Sequence, residues 1–237
     1  MRTSPFLVLA FAAVAAAAAP LRGQCSVFAN TPPGTNLGLR EEGLRTVPLG
    51  FGFRFANVLY DRVTISDNGY VWLGAAPATG GSDFSPTTAE MLSQAPRLSP
   101  CWFDLHSDSV LVFFGGGVFF RSDNLTANIV WKGIPRYFHQ PVFANMEIVL
   151  TADTHPTNRN SIAFVYDGTM MPMTGTNIVG ITAGNNAPTP PATQPPTIAW
   201  TSFVPGTVIG STAYQAFTGS TGATPFNLVG QTLRFSP

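Results

Sequence analysis

Apolar residues alternate with polar or small residues along most of this chain. Residues 47–55 read VPLGFGFRF, and residues 142–150 repeat the alternation as VFANMEIVL. A period of two places the apolar side chains on one face of a β-strand. Turns containing Gly, Pro or Asn separate these short segments, and no convincing helical period interrupts the series. The pattern predicts an all-β fold, either an antiparallel β-sandwich or a flattened barrel, with Pro/Gly-rich loops.

The segment Asp67-Asn68-Gly69 marks the clearest hairpin turn in the sequence. It separates the strand-like residues 63–66 from the apolar, aromatic run at 70–73. Asn and Gly both tolerate the positive φ that a tight hairpin requires, so the pair is a strong turn signal. We therefore interpret this segment as a structural turn in preference to a ligand-binding loop.

The charge composition excludes one large class of function. Lys+Arg and Asp+Glu each number 12, so the formal net charge is zero, and charged residues make up only 10% of the chain. A protein that binds nucleic acid by neutralising phosphates needs an excess of basic residues. We therefore expect no nucleic-acid partner.

The N-terminus has the features of a secretory signal peptide. Arg2 supplies a positive charge, and residues 6–19 form an uncharged run rich in Ala, Leu, Val and Phe. That run is shorter than the ~20 apolar residues that span a bilayer, and no later segment is long and apolar enough to do so. We predict a signal peptide over residues 1–23 and a location that is secreted, extracellular or in the cell envelope.

The two cysteines, Cys25 and Cys101, are consistent with export. An even pair in a secreted chain is most simply one disulfide, which would tie the mature N-terminus to the middle of the fold. The alternative is lipidation of Cys25. Gln24 and Arg22 argue against it, because lipidated cysteines follow small residues.

An ordered set of motifs resembles the nidogen-like (NIDO-type) extracellular domains found in exported bacterial proteins and in matrix and adhesion proteins. The resemblance covers about residues 43–184. The motifs in chain order are VPLGFGFRF at 47–55, VTISDNGYVWLG at 63–74, LSPCWFDL at 98–105, VFFR at 118–121 and IVWKGIPRY at 129–137. The resemblance implies an extracellular β-module and implies no catalytic residues.

This resemblance divides the mature chain into three parts. We expect residues 24–184 to form the nidogen-like β-sandwich domain. Residues 185–196 hold five prolines and are typical of an extended connector. Residues 197–237 contain strand-like runs but are too short for an independent core, so we expect them to pack on the same sandwich.

The sequence carries no short motif of a known catalytic type. It lacks the Gly-x-Ser-x-Gly elbow, the phosphate-binding P-loop and the Rossmann glycine pattern. The three histidines, His106, His139 and His155, have no metal-binding spacing. We predict a non-catalytic protein without a cofactor, and the alternative is a small secreted hydrolase that uses one of these histidines.

Two tryptophans are candidates for a sugar-binding surface. Trp102 and Asp104 lie on one face of residues 102–105, and a tryptophan beside a carboxylate can stack on a sugar and hydrogen-bond to it. Trp200 is a second candidate platform. The alternative for Trp102 is a core position, with Asp104 fixing a neighbouring loop through backbone N–H groups.

Three aspartates and one asparagine carry further candidate sites. Asp104, Asp108 and Asp123 could together offer oxygen ligands to Ca²⁺, but residues 104–108 lack the dense Asp/Asn/Gly pattern of a dedicated calcium loop. We therefore assign no metal to the chain. Asn124 begins an Asn-Leu-Thr sequon, which would carry a glycan only in a host that glycosylates.

These observations predict a secreted, non-catalytic extracellular domain that acts in surface or matrix binding, in cell adhesion, or in structure. Its partner would be an extracellular protein or glycan. Residues 75–96 and 153–160 are predicted to form the contact surface, because binding residues often lie on loops that a rigid scaffold holds. The alternative is a carbohydrate-binding module.

Overall fold

The computed structural model describes residues 34–78, 82–108, 115–170, 175–187, 211–218, 226 and 228–235. This part of the chain contains twelve β-strands and one short helix. In chain order the elements are β1 Thr35–Asn36, β2 Leu44–Phe55, β3 Val58–Ser66, β4 Val71–Leu73, α1 Thr88–Ser93, β5 Arg97–Trp102, β6 Gly117–Ser122, β7 Thr126–Arg136, β8 His139–Thr151, β9 Ile162–Tyr166, β10 Thr176–Thr182, β11 Ala213–Thr218 and β12 Thr232–Phe235.

The strands form two antiparallel sheets of six strands each. The first sheet has the order β1-β6-β7-β8-β9-β12, and the second has the order β11-β10-β5-β4-β3-β2. Among the described strands, none of one sheet pairs with a strand of the other, and an isolated bridge joins Leu105, which follows β5, to Arg136 at the end of β7. The fold is therefore the predicted antiparallel β-sandwich, and it does not close into a barrel.

Alternate residues of both sheets fill the space between them. In β8, every second side chain from 144 to 150 lies in this central core, as the sequence alternation predicts. Two hydrogen bonds cross the core. The indole N–H of Trp131 donates to the carbonyl of Ser66 (2.9 Å), and the hydroxyl of Tyr166 donates to the carbonyl of Pro100 (2.6 Å). Because buried polar groups need partners, these bonds fix how one sheet stacks on the other.

The C-terminal strands complete the same two sheets. β11 extends the second sheet beside β10, and β12 extends the first sheet beside β9. Phe217, Phe226 and Phe235 join the central core, where the ring of Phe226 contacts those of Tyr166 and Phe217 edge-on. The predicted connector lies outside the described residues from 188 onward.

A short helix covers the outside of the second sheet, and the expectation of a helix-free chain is wrong here. The side chain of the N-cap residue Thr87 accepts a hydrogen bond from the N–H of Glu90 (3.2 Å). Thr-x-x-Glu is a capping box, a helix signal that lies inside the segment that we interpreted as a loop. Met91 of α1 is buried in what we call the outer cluster. The outer cluster comprises Tyr70, Trp72, Met91, Trp102 and Ile178.

The β3–β4 turn differs from the tight turn that its Asn-Gly pair predicts. Of that pair only Gly69 has a positive φ, 75°. The two-residue turn with both central residues at positive φ lies instead between β2 and β3, at Ala56 (48°) and Asn57 (65°). A Cβ at Gly69 would lie 2.1 Å from the carbonyl oxygen of Cys101. The β3–β4 turn is thus packed inside the fold, where only glycine fits.

We expect Gly69→Ala to destabilise the domain far more than Gly38→Ala. Gly38 also has a positive φ, 60°, but a Cβ there would meet no atom within 4 Å. A left-handed conformation costs an L residue about 1–2 kcal/mol, so Gly38→Ala isolates that strain. Gly69→Ala adds the overlap with Cys101, which we expect to cost at least about 2 kcal/mol more. Urea unfolding measures both losses, and equal losses would contradict the close packing of this turn.

Candidate functional site

The β3–β4 turn lies at one end of the sandwich, where several segments meet it. Asp67 and Asn68 are completely buried, although both are polar turn residues. The N–H of Asp67 donates to the carbonyl of Gly43 (3.2 Å), and the N–H of Phe103 donates to the carbonyl of Asn68 (3.1 Å). The turn is therefore bonded to the segment that precedes β2 and to the segment that follows β5.

The side chain of Asn68 extends this network to a third segment. Its Oδ1 accepts a hydrogen bond from the N–H of Leu105 (2.8 Å). Its Nδ2 donates to the Oγ of Ser82 (3.0 Å) and to the Oε2 of Glu42 (3.2 Å). A buried amide with satisfied donors and acceptor holds its partners rigidly. These contacts give Asn68 a structural role.

Four carboxylates surround the network, and we call Glu41, Glu42, Asp67 and Asp104 the acidic corner. One carboxylate oxygen from each of Glu41, Glu42 and Asp104 lies within 4.8 Å of the others. Asp67 interacts electrostatically with both glutamates. The corner thus gathers negative charge from three segments that are distant in the sequence.

Burial and mutual repulsion weaken the acidity of this corner. Burial, the largest cause, raises the pKa of Glu41 and that of Glu42 to about 7, and neighbouring carboxylates add to both shifts. Burial also raises the pKa of Asp67 to about 7, against the hydrogen bonds that its carboxylate accepts from Ser82 (2.8 Å) and Ser107 (3.0 Å). The charge of the corner therefore changes near neutral pH.

One histidine and one arginine border the acidic corner. The Nε2 of His106 lies 3.7 Å from the Oε2 of Glu41, which is too far for a hydrogen bond. The guanidinium of Arg136 lies over the ring of Phe103, 4.7 Å from its centroid. Burial raises the pKa of Asp104, and the charge of Arg136 opposes that rise. The corner therefore holds four carboxyl groups beside two basic side chains.

The turn between β7 and β8 places two aromatic rings beside the corner, and we call Tyr137 and Phe138 the aromatic tip. Phe138 is 83% exposed, and its φ of 53° is one that bulky residues rarely adopt. The ring of Tyr137 lies 4.2 Å from that of Phe138 and 4.9 Å from that of His106. The N–H of Tyr137 donates to the carbonyl of Asp104 (3.1 Å), which fixes the tip against the corner.

Trp102 is a core residue of the outer cluster. It is completely buried, and its indole N–H donates to the carbonyl of Asp83 (2.7 Å). The guanidinium of Arg97 lies 3.9 Å from the ring centroid of Trp102 and 3.8 Å from that of Trp72. A cation therefore occupies the ring face that a sugar would need. The other candidate platform, Trp200, lies outside the described residues.

The three candidate calcium ligands do not meet. Asp104 belongs to the acidic corner, and Asp108 contributes there to the raised pKa of Glu41. Asp123 precedes β7 and accepts hydrogen bonds from two backbone N–H groups of its own turn (2.7 Å each). The 11 residues of β7 place it about 30 Å from the corner. Sequence reasoning also missed Glu41 and Glu42, because no short spacing links them to Asp104.

The remaining candidate residues lie apart from the acidic corner or outside the described residues. Cys101 is fully buried in the central core and has no disulfide partner among the described residues, and Cys25 lies outside them, so their disulfide stays a prediction. Asn124 lies in the exposed β6–β7 turn. The Nδ1 of His155 accepts hydrogen bonds from two backbone N–H groups of its own loop (3.3 and 3.0 Å). The side chain of His139 is not among those described.

The fold and the site define an antiparallel β-sandwich with an acidic corner and an exposed aromatic tip at one end. A protein-family model described as NIDO related matches residues 24–237. The chain therefore belongs to the NIDO-related family, which confirms the resemblance that its motifs indicate. The matched region also includes the C-terminal strands. Searches of curated proteins and of solved structures find no significant match.

We expect the stability of the domain to fall as the pH rises. The pKa of Asp67 is about 7 in the folded chain against an ordinary value of 3.8. Between about pH 4 and 7 the folded chain thus holds a proton that the unfolded chain releases, so the free energy of unfolding decreases across this window. The raised pKa values of Glu41 and Glu42 act in the same direction.

Urea unfolding at pH 5 and pH 8 measures this dependence. Asp67→Asn should reduce this dependence by the share of Asp67, leaving that of Glu41 and Glu42. The variant should still fold, since the serine hydroxyls around this side chain can donate to an amide oxygen and accept from an amide nitrogen. Asp61→Asn is the matched control at a fully exposed carboxylate and should leave the dependence unchanged. An Asp67→Asn variant that keeps the wild-type pH dependence would contradict the raised pKa of Asp67.

Proposed function

We propose that this protein is a secreted, non-catalytic extracellular domain that binds a macromolecule at the surface or in the matrix of its organism. Extracellular domains are typical of the NIDO-related family to which the chain belongs. The observation that carries the proposal is the aromatic tip, where Phe138 is 83% exposed beside the acidic corner.

The backbone of Phe138 supports a binding role for the tip. A bulky side chain at a positive φ costs about 1–2 kcal/mol, and glycine or asparagine would relieve that strain. Strained residues of this kind cluster at binding sites. Among the described residues, the next most exposed large apolar side chains are Leu59 (54%), Phe84 (51%) and Val58 (50%). Phe138 thus combines the greatest exposure with backbone strain, and contact with a partner would bury its ring.

Export and the absence of catalysis rest on the sequence. The predicted signal peptide lies in residues 1–23, outside the described part of the chain. No helix among the described residues has the length and hydropathy that a membrane crossing requires. The proposal that the protein is not an enzyme rests on the lack of catalytic motifs and on the resemblance, which implies no catalytic residues.

The two loops predicted as contact surfaces have different structures. Residues 153–160 form an exposed loop that is tied to β2, because the N–H of Arg54 donates to the Oδ1 of Asn160 (2.7 Å). The Nδ2 of Asn160 in turn donates to the Oδ1 of Asp153 (2.7 Å). Residues 75–96 include α1, which covers the outer cluster. Residues 153–160 are therefore a second candidate contact surface. In residues 75–96, by contrast, α1 packs on the outside of the second sheet.

The test is binding of the labelled mature chain, residues 24–237, to surface and matrix fractions of the producing organism. We expect saturable binding that unlabelled protein competes away. Phe138→Asn should weaken binding at least about tenfold, as expected for an exposed aromatic anchor. The same change should preserve or raise the melting temperature, because asparagine tolerates a positive φ.

Val58→Asn is the matched control, since it removes an exposed apolar side chain elsewhere on the sandwich. It should leave binding unchanged. Digestion of the fractions with protease or with glycosidase then distinguishes a protein partner from a glycan. Absence of saturable binding by a cooperatively folded product would overturn the proposed function.

A further inference from the structure

We propose that the 153–160 loop, which joins β8 to β9, is a pH-sensitive element: the neutral ring of His155 holds it closed, and it opens when that ring gains a proton. A change of this kind goes beyond the proposed function and does not depend on it. It is possible because one ring nitrogen holds the middle of the loop, while other bonds anchor its two ends.

The Nδ1 of His155 is the hydrogen-bond acceptor at the middle of this loop. It accepts from the backbone N–H of Thr157 (3.3 Å) and from that of Asn158 (3.0 Å). A backbone N–H can only donate, so Nδ1 must carry its lone pair and the ring proton must lie on Nε2. A protonated imidazole has a hydrogen on both nitrogens and offers no acceptor. The two bonds therefore require the neutral ring.

Bonds to β2 hold the two ends of the loop. At its start, the N–H of Asp153 donates to the carbonyl of Gly52 (2.8 Å). At its end, the Oδ1 of Asn160 accepts a hydrogen bond from the N–H of Arg54 (2.7 Å). The groups in these two bonds are backbone and side-chain amides, which do not titrate. Protonation of His155 would therefore release the middle of the loop and leave its ends in place.

The charged groups around the imidazole do not titrate in the same pH range. The loop sequence, DTHPTNRN, holds two other ionisable residues, Asp153 and Arg159. A hydrogen bond from Asn160 holds the pKa of Asp153 below its ordinary value, and the charges of Arg54 on β2 and of Arg159 act in the same direction. In the adjacent β6–β7 turn, backbone N–H groups lower the pKa of Asp123. Both carboxylates therefore stay ionised between pH 5 and 8, where a histidine exchanges its proton.

Acid favours the open loop, because the closed loop needs the neutral ring and the open loop accepts the charged one. The charged ring would also place an N–H of its own against those of Thr157 and Asn158. The carbonyl of Asn158 accepts a further hydrogen bond from the hydroxyl of Thr151, and this repulsion would oppose it. The opening is local, and its direction is opposite to that of the domain, whose free energy of unfolding decreases as the pH rises.

NMR of the mature chain, residues 24–237, tests this element. At pH 8 the ring of His155 should show an unprotonated Nδ1 and a protonated Nε2. Between pH 8 and pH 5, exchange of the Thr157 and Asn158 amides with water should accelerate at least about tenfold after correction for the intrinsic effect of pH, as expected when two hydrogen bonds are lost. The amide of Asp153, which donates to β2, is the internal control and should keep its protection.

Two variants separate the role of the proton from that of the loop sequence. His155→Asn keeps the acceptor in place, because the Oδ1 of asparagine and the Nδ1 of histidine are both bonded to Cγ, but its side chain does not titrate. The Thr157 and Asn158 amides should then stay protected at both pH values. His155→Leu removes the acceptor, so both amides should exchange quickly at pH 8 as well as at pH 5.

Three results would overturn the inference. The first is a protonated Nδ1 in wild-type His155 at pH 8, a measurement that needs no variant. The second is equal protection of the Thr157 and Asn158 amides at pH 8 and pH 5. The third is faster exchange at pH 5 in His155→Asn, since the opening would then not require the imidazole. Binding of the surface fractions through Phe138 is a separate measurement, so the proposed function stands or falls independently.

Discussion

The completely buried β3–β4 turn, residues 67–69, is the constraint on which the rest of the structure depends. Gly69 brings the backbone of the turn so close to Cys101 that a Cβ would lie 2.1 Å from the carbonyl oxygen. This approach leaves Asn68 inside the fold, where its amide must find partners. It finds them in three segments, through Leu105, Ser82 and Glu42. One turn thereby fixes the positions of chain segments that no strand pairing aligns.

The acidic corner and the aromatic tip follow from that constraint. The segment after β5 is held by Asn68, and its Leu105 forms the isolated bridge to Arg136 at the end of β7. The next two residues, Tyr137 and Phe138, form the aromatic tip, and the N–H of Tyr137 donates to the carbonyl of Asp104 (3.1 Å), which links the tip to the corner. Rigid presentation of this kind lowers the entropy that binding must overcome. The structure thus connects a buried polar network to the surface that we propose as a binding site.

The sequence predicted the sandwich, the family and most strands, because these depend on local alternation and on ordered motifs. It missed α1, although the Thr87 and Glu90 capping box was present, because the surrounding residues were interpreted as a loop. It missed the acidic corner for a different reason. Glu41 and Asp104 approach each other only through the tertiary fold, and no spacing along the chain encodes that contact. The exposed side chain and the positive φ of Phe138 likewise depend on its position in the β7–β8 turn, which the alternation of the strands does not specify.

Amide hydrogen exchange at Leu105 tests the central claim most directly. This residue lies outside the named strands, in a position where amides usually exchange quickly. Because its N–H donates to the buried Oδ1 of Asn68 (2.8 Å), the account predicts protection close to that of the core amides of β7 and β8. Exchange as fast as that of the turn residue Asn57 would contradict the account, since the buried turn would then not hold the corner.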